Sequence, residues 1–401
     1  MAEKYTRWAD KSNGINPFVS DEARAYKSFT GRVISTIVTV LVGIPKLIIV
    51  TILFMLSACV NIIFHEVGLL LAAIGVGSMC HYSNQSPLPA IIVGCISAAM
   101  LLPLPFTSPI TLIRRSISRV ITYVCLFLIG VDYRVSMANT SRVVGVRSDS
   151  KSAPPPLSHI MPGDLVISNI TSVLEILFYE SICSPLYVFP VRLTPSSSHE
   201  PSLYHCPAVG FFSALRISMS PSISQSQTSD VKRQTLTAVL QQAKSAGRCV
   251  IIFPEGVRSN GSGVLKFPEE IFCDISTVNT SIHLAGFTYP SASTQPCCPV
   301  GSQVLRIIST CGALSLPCAG RLLVLPSKYL SEIHQKLSTR NKSSAVRNWT
   351  NEVRNIFAKL INKKTVELGV DDFESFRSYS DAMKSGDMEL ARKIADSRIK
   401  K

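Results

Sequence analysis

Formal charge is almost missing from one long stretch of this chain. Between Val33 and Ile113 the only acidic or basic residues are Lys46 and Glu66. A single membrane span needs roughly 20 apolar residues, and Val33–Phe64 and Ser86–Ile113 are long enough whereas Leu69–Gly77 is too short, so we expect about two spans. We therefore expect a membrane region, whose first half forms one tilted span or a hairpin bent near Gly43. A buried soluble core is the alternative, but soluble domains rarely contain so few charges.

We also expect no cleavable signal peptide, because residues 1–32 are polar and the apolar region begins too deep in the chain. Basic residues flank that region on both sides: Arg24, Lys27 and Arg32 precede it, and Arg114, Arg115 and Arg119 follow it. Positive residues favour the cytosolic side, so we expect an even number of crossings or a re-entrant hairpin, with both ends cytosolic. The basic segment 114–119 and the apolar residues 120–131 after it resemble an amphipathic lead-in, a segment that lays the next domain on the bilayer surface.

The twelve cysteines lack the spacing of a metal site. None belongs to a Cys-x-x-Cys pattern with histidines, so we expect no bound metal. Several lie in apolar segments, where a free cysteine behaves as a small hydrophobe: Cys59, Cys80, Cys95 and Cys125. Reduced thiols are therefore the prediction.

Basic residues are not interleaved with aromatic ones, so the net charge of +14 does not indicate a nucleic-acid partner. Much of this charge lies from Lys328 onward. Beside a membrane region it indicates attraction to anionic membrane lipid, with a solvated helical face as the alternative. The same part of the chain carries Val353, Phe357 and Leu360 at helical spacing, which predicts one amphipathic helix packed on the preceding domain.

The most informative motif runs from Phe253 to Ser259 and follows the apolar run Cys249–Ile252. That run predicts a buried strand, and the turn after it should place Glu255 and Arg258 at a site at the carboxyl end of the strand. Gly256 lets backbone amides approach an anion closely, and an arginine fork can grip a phosphate. An ordinary surface turn is the alternative interpretation.

Residues 231–248, just upstream, have apolar side chains at helical spacing and Gly247 as a C-terminal cap. Helix, glycine, strand and Phe-Pro-Glu-Gly-x-Arg-Ser together resemble the third motif block of the glycerolipid acyltransferase superfamily, although Val257 stands where that family usually has threonine. The resemblance implies an α/β fold and makes Glu255 a catalytic-site residue. The substrate-binding residues that it implies in this loop are Phe253, Pro254, Gly256, Arg258 and Ser259.

A second block of that superfamily, Asn-His-x-Ser-x-x-Asp, is similar to Asn169–Glu175 in this chain. Asn169 and Ser172 match and are implied to bind substrate by shaping the start of the helix, whereas Ile170 replaces the histidine and Glu175 the aspartate. Because isoleucine cannot accept a proton, the family's general base is missing. Either Glu175 does part of the catalytic work, with its pKa raised by burial, or it only caps the helix.

Three other matches carry less information. His159 and Asp164 repeat the His–Asp spacing in a Pro-rich loop, which we interpret as accidental, with His159 the next residue to test as a base. Arg216 is a stand-in for the phosphate-binding arginine of another block. Residues 283–290, a predicted strand ending in proline, loosely resemble the fourth block.

Within the superfamily, the chain most resembles the fungal lysophosphatidic acid:acyl-CoA acyltransferases, through Glu3–Trp8, Gly14–Phe18 and Leu368–Val370. This implies acyl transfer from the co-substrate acyl-CoA to lysophosphatidic acid or a related lysophospholipid, with no bound cofactor. The product, phosphatidic acid, enters glycerolipid synthesis and lipid droplet metabolism. It also implies an endoplasmic reticulum membrane protein with a cytosol-facing site, and lipid droplets as a second location. The rival is a catalytically silent, lipid-binding acyltransferase fold that acts as a membrane scaffold or trafficking factor.

Four parts are predicted along the chain. They are a polar cytosolic N-terminus (1–32), a helical membrane region with its amphipathic lead-in (33–131), an acyltransferase-like α/β domain (132–326) and a basic, mainly helical tail (327–401). The third part has ordinary size for one α/β core.

Overall fold

The computed structural model describes residues 7–19, 37–59, 62, 109–138, 143, 160–192, 204–220, 234–272, 275, 280–289, 299–300, 303–312, 316–324 and 342–399. Over these residues the protein is a mixed α/β structure with a central, mostly parallel sheet. Most of the predicted membrane region after Cys59, and the loop with His159, lie outside the described residues.

Strands occur throughout the described part of the chain. They are β1 (Val131–Met137), β2 (Leu165–Ser168), β3 (Leu186–Val188), β4 (Val191–Arg192), β5 (Tyr204–His205), β6 (Ala208–Val209), β7 (Val250–Ile252), β8 (Gly263–Val264), β9 (Ile282–Thr288), β10 (Leu316–Val324) and β11 (Lys364–Thr365). The main sheet has the order β1-β10-β9-β2-β7-β3-β6, in which β9–β10 and β3–β6 pair antiparallel and the other neighbours pair parallel.

Helices cover both faces of this sheet. They are α1 (Val40–Cys59), α2 (Pro109–Ile129), α3 (Leu174–Ile182), α4 (Phe211–Met219), α5 (Leu236–Ser245), α6 (Gln303–Gly312), α7 (Lys342–Leu360), α8 (Val370–Ser385) and α9 (Met388–Ile399). A short 3-10 turn spans Glu269–Phe272.

The predicted helix and strand before the Phe253 motif are confirmed. α5 is capped by the Thr235 side chain, which accepts a hydrogen bond from Ala238 N, and it buries Leu236, Val239, Leu240 and Ala243. Gly247 then adopts a left-handed backbone with φ +63°, which favours glycine at this helix end. β7 follows and is fully buried, as a central parallel strand covered on both faces should be.

The connections of the sheet diverge at the neighbouring strands β2 and β9, because the chain leaves β2 for β3 on one side and leaves β9 for β10 on the other. β7 lies on one side of β2 and β9 on the other, and both run parallel to it. In open α/β sheets, ligands bind in the crevice outside the carboxyl ends of the strands at such a switch point. The topology therefore directs attention to the residues that follow β2 and β7, which carry the two motifs.

Among the described residues, α1 is the one helix long and apolar enough to cross a membrane. A π-helical segment, Thr39–Gly43, overlaps the start of α1, and the helix continues past Pro45, so of the two predicted alternatives the hairpin bend near Gly43 does not form. A Cβ at Gly43 would lie 2.7 Å from the carbonyl oxygen of Ile308, which shows how closely α1 packs on α6. The outward face of α1, with Leu41 and Met55, is exposed.

The C-terminal residues complete the core. α7 is the predicted amphipathic helix, since it buries Val353, Phe357 and Leu360 in the cluster that also contains β7 and β9 residues. A separate aromatic cluster joins the N-terminal segment 7–19 to α8: the Trp8 ring lies 4.5 Å from that of Tyr379, and Phe18 lies 5.5 Å from Phe373.

We predict that Gly286→Ala destabilises the protein by about 1–3 kcal/mol, because a methyl group here overpacks the contact between β9 and α7. The added Cβ would collide with Ile361 and would lie 3.4 Å from the Phe357 ring. Thermal unfolding in a non-ionic detergent measures the loss. The matched control is Gly369→Ala, whose Cβ would meet only Lys266 Cβ at 3.8 Å. Equal stability of the two variants would contradict this packing.

Candidate functional site

The carboxyl ends of β2, β7 and β9 meet at one edge of the sheet. Asn169, the first residue after β2, joins two of them: its Nδ2 donates to the Phe287 carbonyl oxygen at 2.9 Å, and its Oδ1 accepts from the Phe287 N–H at 2.9 Å. Both hydrogen bonds are buried. Asn169 therefore fixes the turn after β2 against β9, which agrees with its predicted role in shaping the site.

Ser172 and Glu175 form the reciprocal capping arrangement that starts α3. Ser172 Oγ accepts from Leu174 N at 3.0 Å, while Glu175 Oε2 accepts from the Ser172 N–H at 2.9 Å and from Ser172 Oγ at 2.8 Å. The other oxygen of Glu175 accepts from the Thr171 hydroxyl and, at 3.0 Å, from the Tyr289 hydroxyl. Four donors thus converge on one carboxylate.

Glu175 is completely buried. Burial raises its pKa above the ordinary value, and the hydrogen bonds from Thr171, Ser172 and Tyr289 act in the opposite direction. An ionised carboxylate offers about four acceptor positions, and here the four donors use them. Of the two roles left open by the sequence, the geometry favours helix capping. A catalytic role for Glu175 stays a prediction.

Ile170 stands where a histidine would supply a base. Its side chain is fully buried in the apolar cluster that also contains Val166, Leu174 and Phe253. This side chain therefore contributes packing and cannot itself accept a proton.

Tyr289 is a site residue that the sequence motifs do not single out. It follows β9 in the segment that loosely resembles a fourth block, and it is buried with its hydroxyl on Glu175 and 3.4 Å from Ser172 Oγ. A tyrosine directly after a predicted central strand is the only signal in the sequence. Its partner lies more than a hundred residues away, so spacing could not reveal the contact.

The loop after β7 turns at Gly256, which has φ +65° and so requires glycine. The Gly256 N–H donates to the Phe253 carbonyl oxygen at 3.1 Å. This amide is therefore occupied within the turn and is not available for the predicted anion contact. Phe253 stacks on Phe189 with ring centroids 5.2 Å apart, and Pro254 is buried beside it.

Glu255 holds the loop to the strand that follows. Its Oε1 accepts from the Leu265 N–H at 2.9 Å. Burial raises the pKa of Glu255 from 4.5 to about 7, against the lowering effects of the Leu265 hydrogen bond and of Arg354. In this geometry the Glu255 carboxylate fixes the position of the loop, and the catalytic role that the resemblance implies stays a prediction.

Arg258 is 2% exposed, and its Nη1 donates to the carbonyl oxygen of Ser218 near the end of α4. A cation is favourable at a helix C-terminus, so the contact joins the motif loop to α4. Ser259 is also buried, and its Oγ accepts from the Gly261 N–H at 3.3 Å. The phosphate-binding role implied for Arg258 stays a prediction.

Both ends of the chain cover the motif loop. Asn260 donates from its backbone to Pro17 O at 2.8 Å and from its side chain to Val19 O at 2.8 Å. On the other side, a Cβ at Gly256 would lie 3.1 Å from Val370 Cγ2 at the start of α8. The loop is thus enclosed by polypeptide on these two sides.

A cavity of about 270 Å³ with mostly apolar walls reaches the start of α3. We call it the apolar cavity. Its walls come from α1, α3, α4 and α6, and Ser172 lies at its edge. Most of the lining is aliphatic or aromatic, including Val50, Phe54 and Leu215. Arg306, which is buried, also lines the apolar cavity and adds a positive charge to its α6 wall.

The other predicted residues lie away from this edge. Arg216 is exposed on α4 and does not line the apolar cavity. Asp164 precedes β2, at the opposite edge of the sheet, where its Oδ2 is 3.0 Å from His283 Nε2. Within the described residues, no group of three or more histidine, cysteine, aspartate or glutamate side chains could hold a metal ion.

We compared the chain with known proteins and found no relative. No protein-family model, no curated protein and no solved structure matches the chain.

Buried Glu255 leads to a pH-dependent stability. Its folded-state pKa, about 7, exceeds its ordinary value of 4.5, so the folded protein binds this proton more tightly than the unfolded chain does. The resulting stabilisation is complete below pH 4.5 and is lost as the pH rises through about 7, a change of at most about 3 kcal/mol.

We predict that Glu255→Gln flattens this part of the stability profile, because the amide keeps the Leu265 hydrogen bond and cannot ionise. Unfolding midpoints measured between pH 5 and 8 check this. Glu352→Gln, an exposed substitution on α7, serves as the control. If the parent protein and the Glu255 variant lose stability in parallel, the assignment is wrong.

Proposed function

We propose that this protein is a membrane-bound acyltransferase that moves an acyl group from acyl-CoA to the free hydroxyl of lysophosphatidic acid or a related lysophospholipid, forming phosphatidic acid. The observation that carries the proposal is the apolar cavity, which joins a membrane-type helix, α1, to the turn after β2. The resemblance of the two motif loops to glycerolipid acyltransferases supplies the chemistry. The corresponding location is the cytosolic face of the endoplasmic reticulum, extending to lipid droplets.

The cavity is suited to an amphiphile. An apolar pocket with few convergent polar groups orients a ligand by those groups, and Ser172 and Arg306 are two of the four serine, threonine and arginine residues in this lining. Arg306 can attract the phosphate of a lysolipid or of coenzyme A, while the aliphatic walls take an acyl chain. Because α1 forms one of those walls and exposes its opposite face, a chain can enter from the bilayer without crossing water.

The reaction in this site would be a direct displacement. The lysolipid hydroxyl oxygen attacks the thioester carbonyl carbon, the carbon–sulfur bond breaks, and coenzyme A leaves with the proton from the hydroxyl. A general base contributes roughly 10²–10⁴-fold to such a step. Holding two reactants in register contributes as much as about 7–11 kcal/mol. Because the thioester is already activated, Ile170 is compatible with slow transfer driven by positioning.

A second candidate function is a catalytically silent lipid-binding protein that serves as a membrane scaffold or trafficking factor. Three observations favour it: Ile170 lies in the apolar core, Glu175 is saturated by four donors, and Arg258 is bound to a helix end. Lipid binding in the apolar cavity is common to both candidates. They differ only in whether acyl-CoA is consumed.

The test is turnover by the purified full chain in mixed micelles, with acyl-CoA and a panel of lysophospholipids. We expect phosphatidic acid to form from lysophosphatidic acid, and we expect Leu215→Trp to lower the rate about tenfold or more, because an overpacked cavity excludes the acyl chain. Leu390→Trp makes the same substitution on the exposed surface of α9 and should keep the parent rate. Leu215→Ala, which enlarges the cavity, should retain activity if the fold is intact.

Two results would decide against the proposal. If the parent binds lysophosphatidic acid but consumes no acyl-CoA, the silent lipid-binding function replaces it. If the parent is active and both tryptophan variants keep full rates, the apolar cavity is not where the acyl chain lies.

A further inference from the structure

A second cavity, of about 290 Å³, lies at the opposite end of the sheet from the motif loops. We call it the arginine pocket. It is lined by Arg114 and Arg115 from α2, by Glu180 from the end of α3, by Arg248 just before β7 and by the first residues of α4. Its four charged side chains do not line the apolar cavity, although Phe212 of α4 borders both cavities.

The pocket carries more positive than negative charge. Arg114, Arg115, Arg119 and Arg248 are near enough to perturb one another's charges, and Glu180 is the one carboxylate among the residues that line the pocket. Burial, followed by its arginine neighbours, lowers the pKa of Arg115 to about 10. Crowding like charges in a partly buried site is unfavourable unless an anion compensates them.

Two of the arginines also shape the pocket. Arg115 donates to Ala246 O at 2.7 Å, and Arg248 donates to Ser184 O and Pro185 O at 2.7 Å each. These contacts hold both guanidinium groups at the pocket wall. Arg114 has no hydrogen-bond or ion-pair partner among the described residues, and so its guanidinium can turn to a ligand.

The amino terminus of α4 adds backbone donors to the same cavity. Gly210 is the N-cap and supplies no side-chain cap, and residues 210–213 line the pocket. The first N–H groups of a helix have no intrahelical acceptor, and the helix dipole makes this end attractive to anions. The helix has nine residues.

A buried carboxyl group points to the kind of anion. Glu180 is 2% exposed; its Oε1 accepts from Ser118 Oγ and Ser184 Oγ at 2.9 Å each, whereas its Oε2, also buried, has no partner among the described residues. Burial raises the pKa of Glu180, so its carboxyl group can keep a proton and donate it to a phosphate oxygen. A phosphate monoester carries a charge of about −1.5 to −2 at neutral pH, which suits the three arginines that line the pocket, whereas a diester carries about −1.

The surroundings indicate a lipid. Leu112 and Ile113, next to Arg114 on α2, are each about half exposed, and Phe212, which lines the pocket, is also exposed. The same outward face of α2 continues through Val120, Tyr123 and Phe127. An arginine-rich pocket bordered by an exposed apolar helix face matches a headgroup at a bilayer surface.

We propose that the arginine pocket binds the phosphomonoester headgroup of an anionic membrane lipid, with the acyl chains along the exposed face of α2. The arginines and the α4 N-terminus hold the phosphate oxygens, and the protonated carboxyl group of Glu180 donates to one of them. The site does not depend on acyl transfer, and a silent lipid-binding protein would possess it equally.

The test is binding of dioctanoyl phosphatidic acid to the full chain in non-ionic detergent, followed by native mass spectrometry. We expect Arg114→Gln to weaken one binding step about tenfold, because a charge-assisted contact is lost. Arg114→Lys should retain most of the binding. The matched control, Arg134→Gln, removes the same charge from an exposed position on β1 and should change nothing. Unfolding midpoints should be equal for all three variants, because Arg114 makes no contact that holds the fold.

Binding of other phosphate-containing ligands shows whether the pocket recognises a lipid phosphomonoester or phosphate in general. Dioctanoyl phosphatidylserine and phosphatidylcholine, both diesters, should not fill the Arg114-dependent step, and inorganic phosphate or coenzyme A should compete only weakly. If the Arg134→Gln variant loses as much phosphatidic acid binding as the Arg114→Gln variant, the effect comes from overall charge and the proposed site is wrong. Equal binding of phosphatidylserine would overturn the monoester assignment. Displacement by coenzyme A or inorganic phosphate at matched concentration would overturn the lipid assignment.

Discussion

One buried carboxylate organises the candidate site. Glu175 accepts hydrogen bonds from Thr171, from the backbone and hydroxyl of Ser172 and from Tyr289, and it thereby ties the turn after β2 to the residue after β9. Leaving such donors without an acceptor in the interior costs about 1–3 kcal/mol for each. The start of α3, and with it the inner wall of the apolar cavity, depends on this network.

The other walls of that cavity come from elements far apart in the chain. Arg258 fastens the motif loop to α4, and Gly43 lets α1 approach the α6 backbone. Because α1 presents apolar residues both inward, such as Val50, and outward, such as Ile52, it can be a cavity wall and a membrane contact at once. This arrangement is what makes a lipid substrate a consistent proposal for a site whose motif histidine is an isoleucine.

Local periodicity was enough to predict several elements. Apolar spacing predicts α5 and α7, and the β-branched run predicts β7, because each of these patterns reports which face of an element is buried. The turn at Gly256 is predictable for the same local reason, since its backbone conformation favours glycine.

What the sequence could not supply are contacts between distant segments. The partner of Arg258 is a carbonyl group forty residues earlier, and that of Glu175 includes Tyr289, so no spacing rule identifies either. A phosphate role for Arg258 follows from residue type alone, whereas burial against α4 is decided by tertiary packing. The apolar cavity likewise exists only once α1, α3, α4 and α6 are assembled.

The most direct measurement is photo-crosslinking of the full chain in bilayers with a lysophosphatidic acid that carries a diazirine within its acyl chain. If the apolar cavity holds the lipid chain, label should appear on the inward residues Val50 and Phe54 of α1 and on Leu215 of α4. Ile52, on the same helix as Val50 but facing outward, reports ordinary bilayer contact. Labelling confined to Ile52 and other outward residues, with none on the cavity wall, would contradict the account.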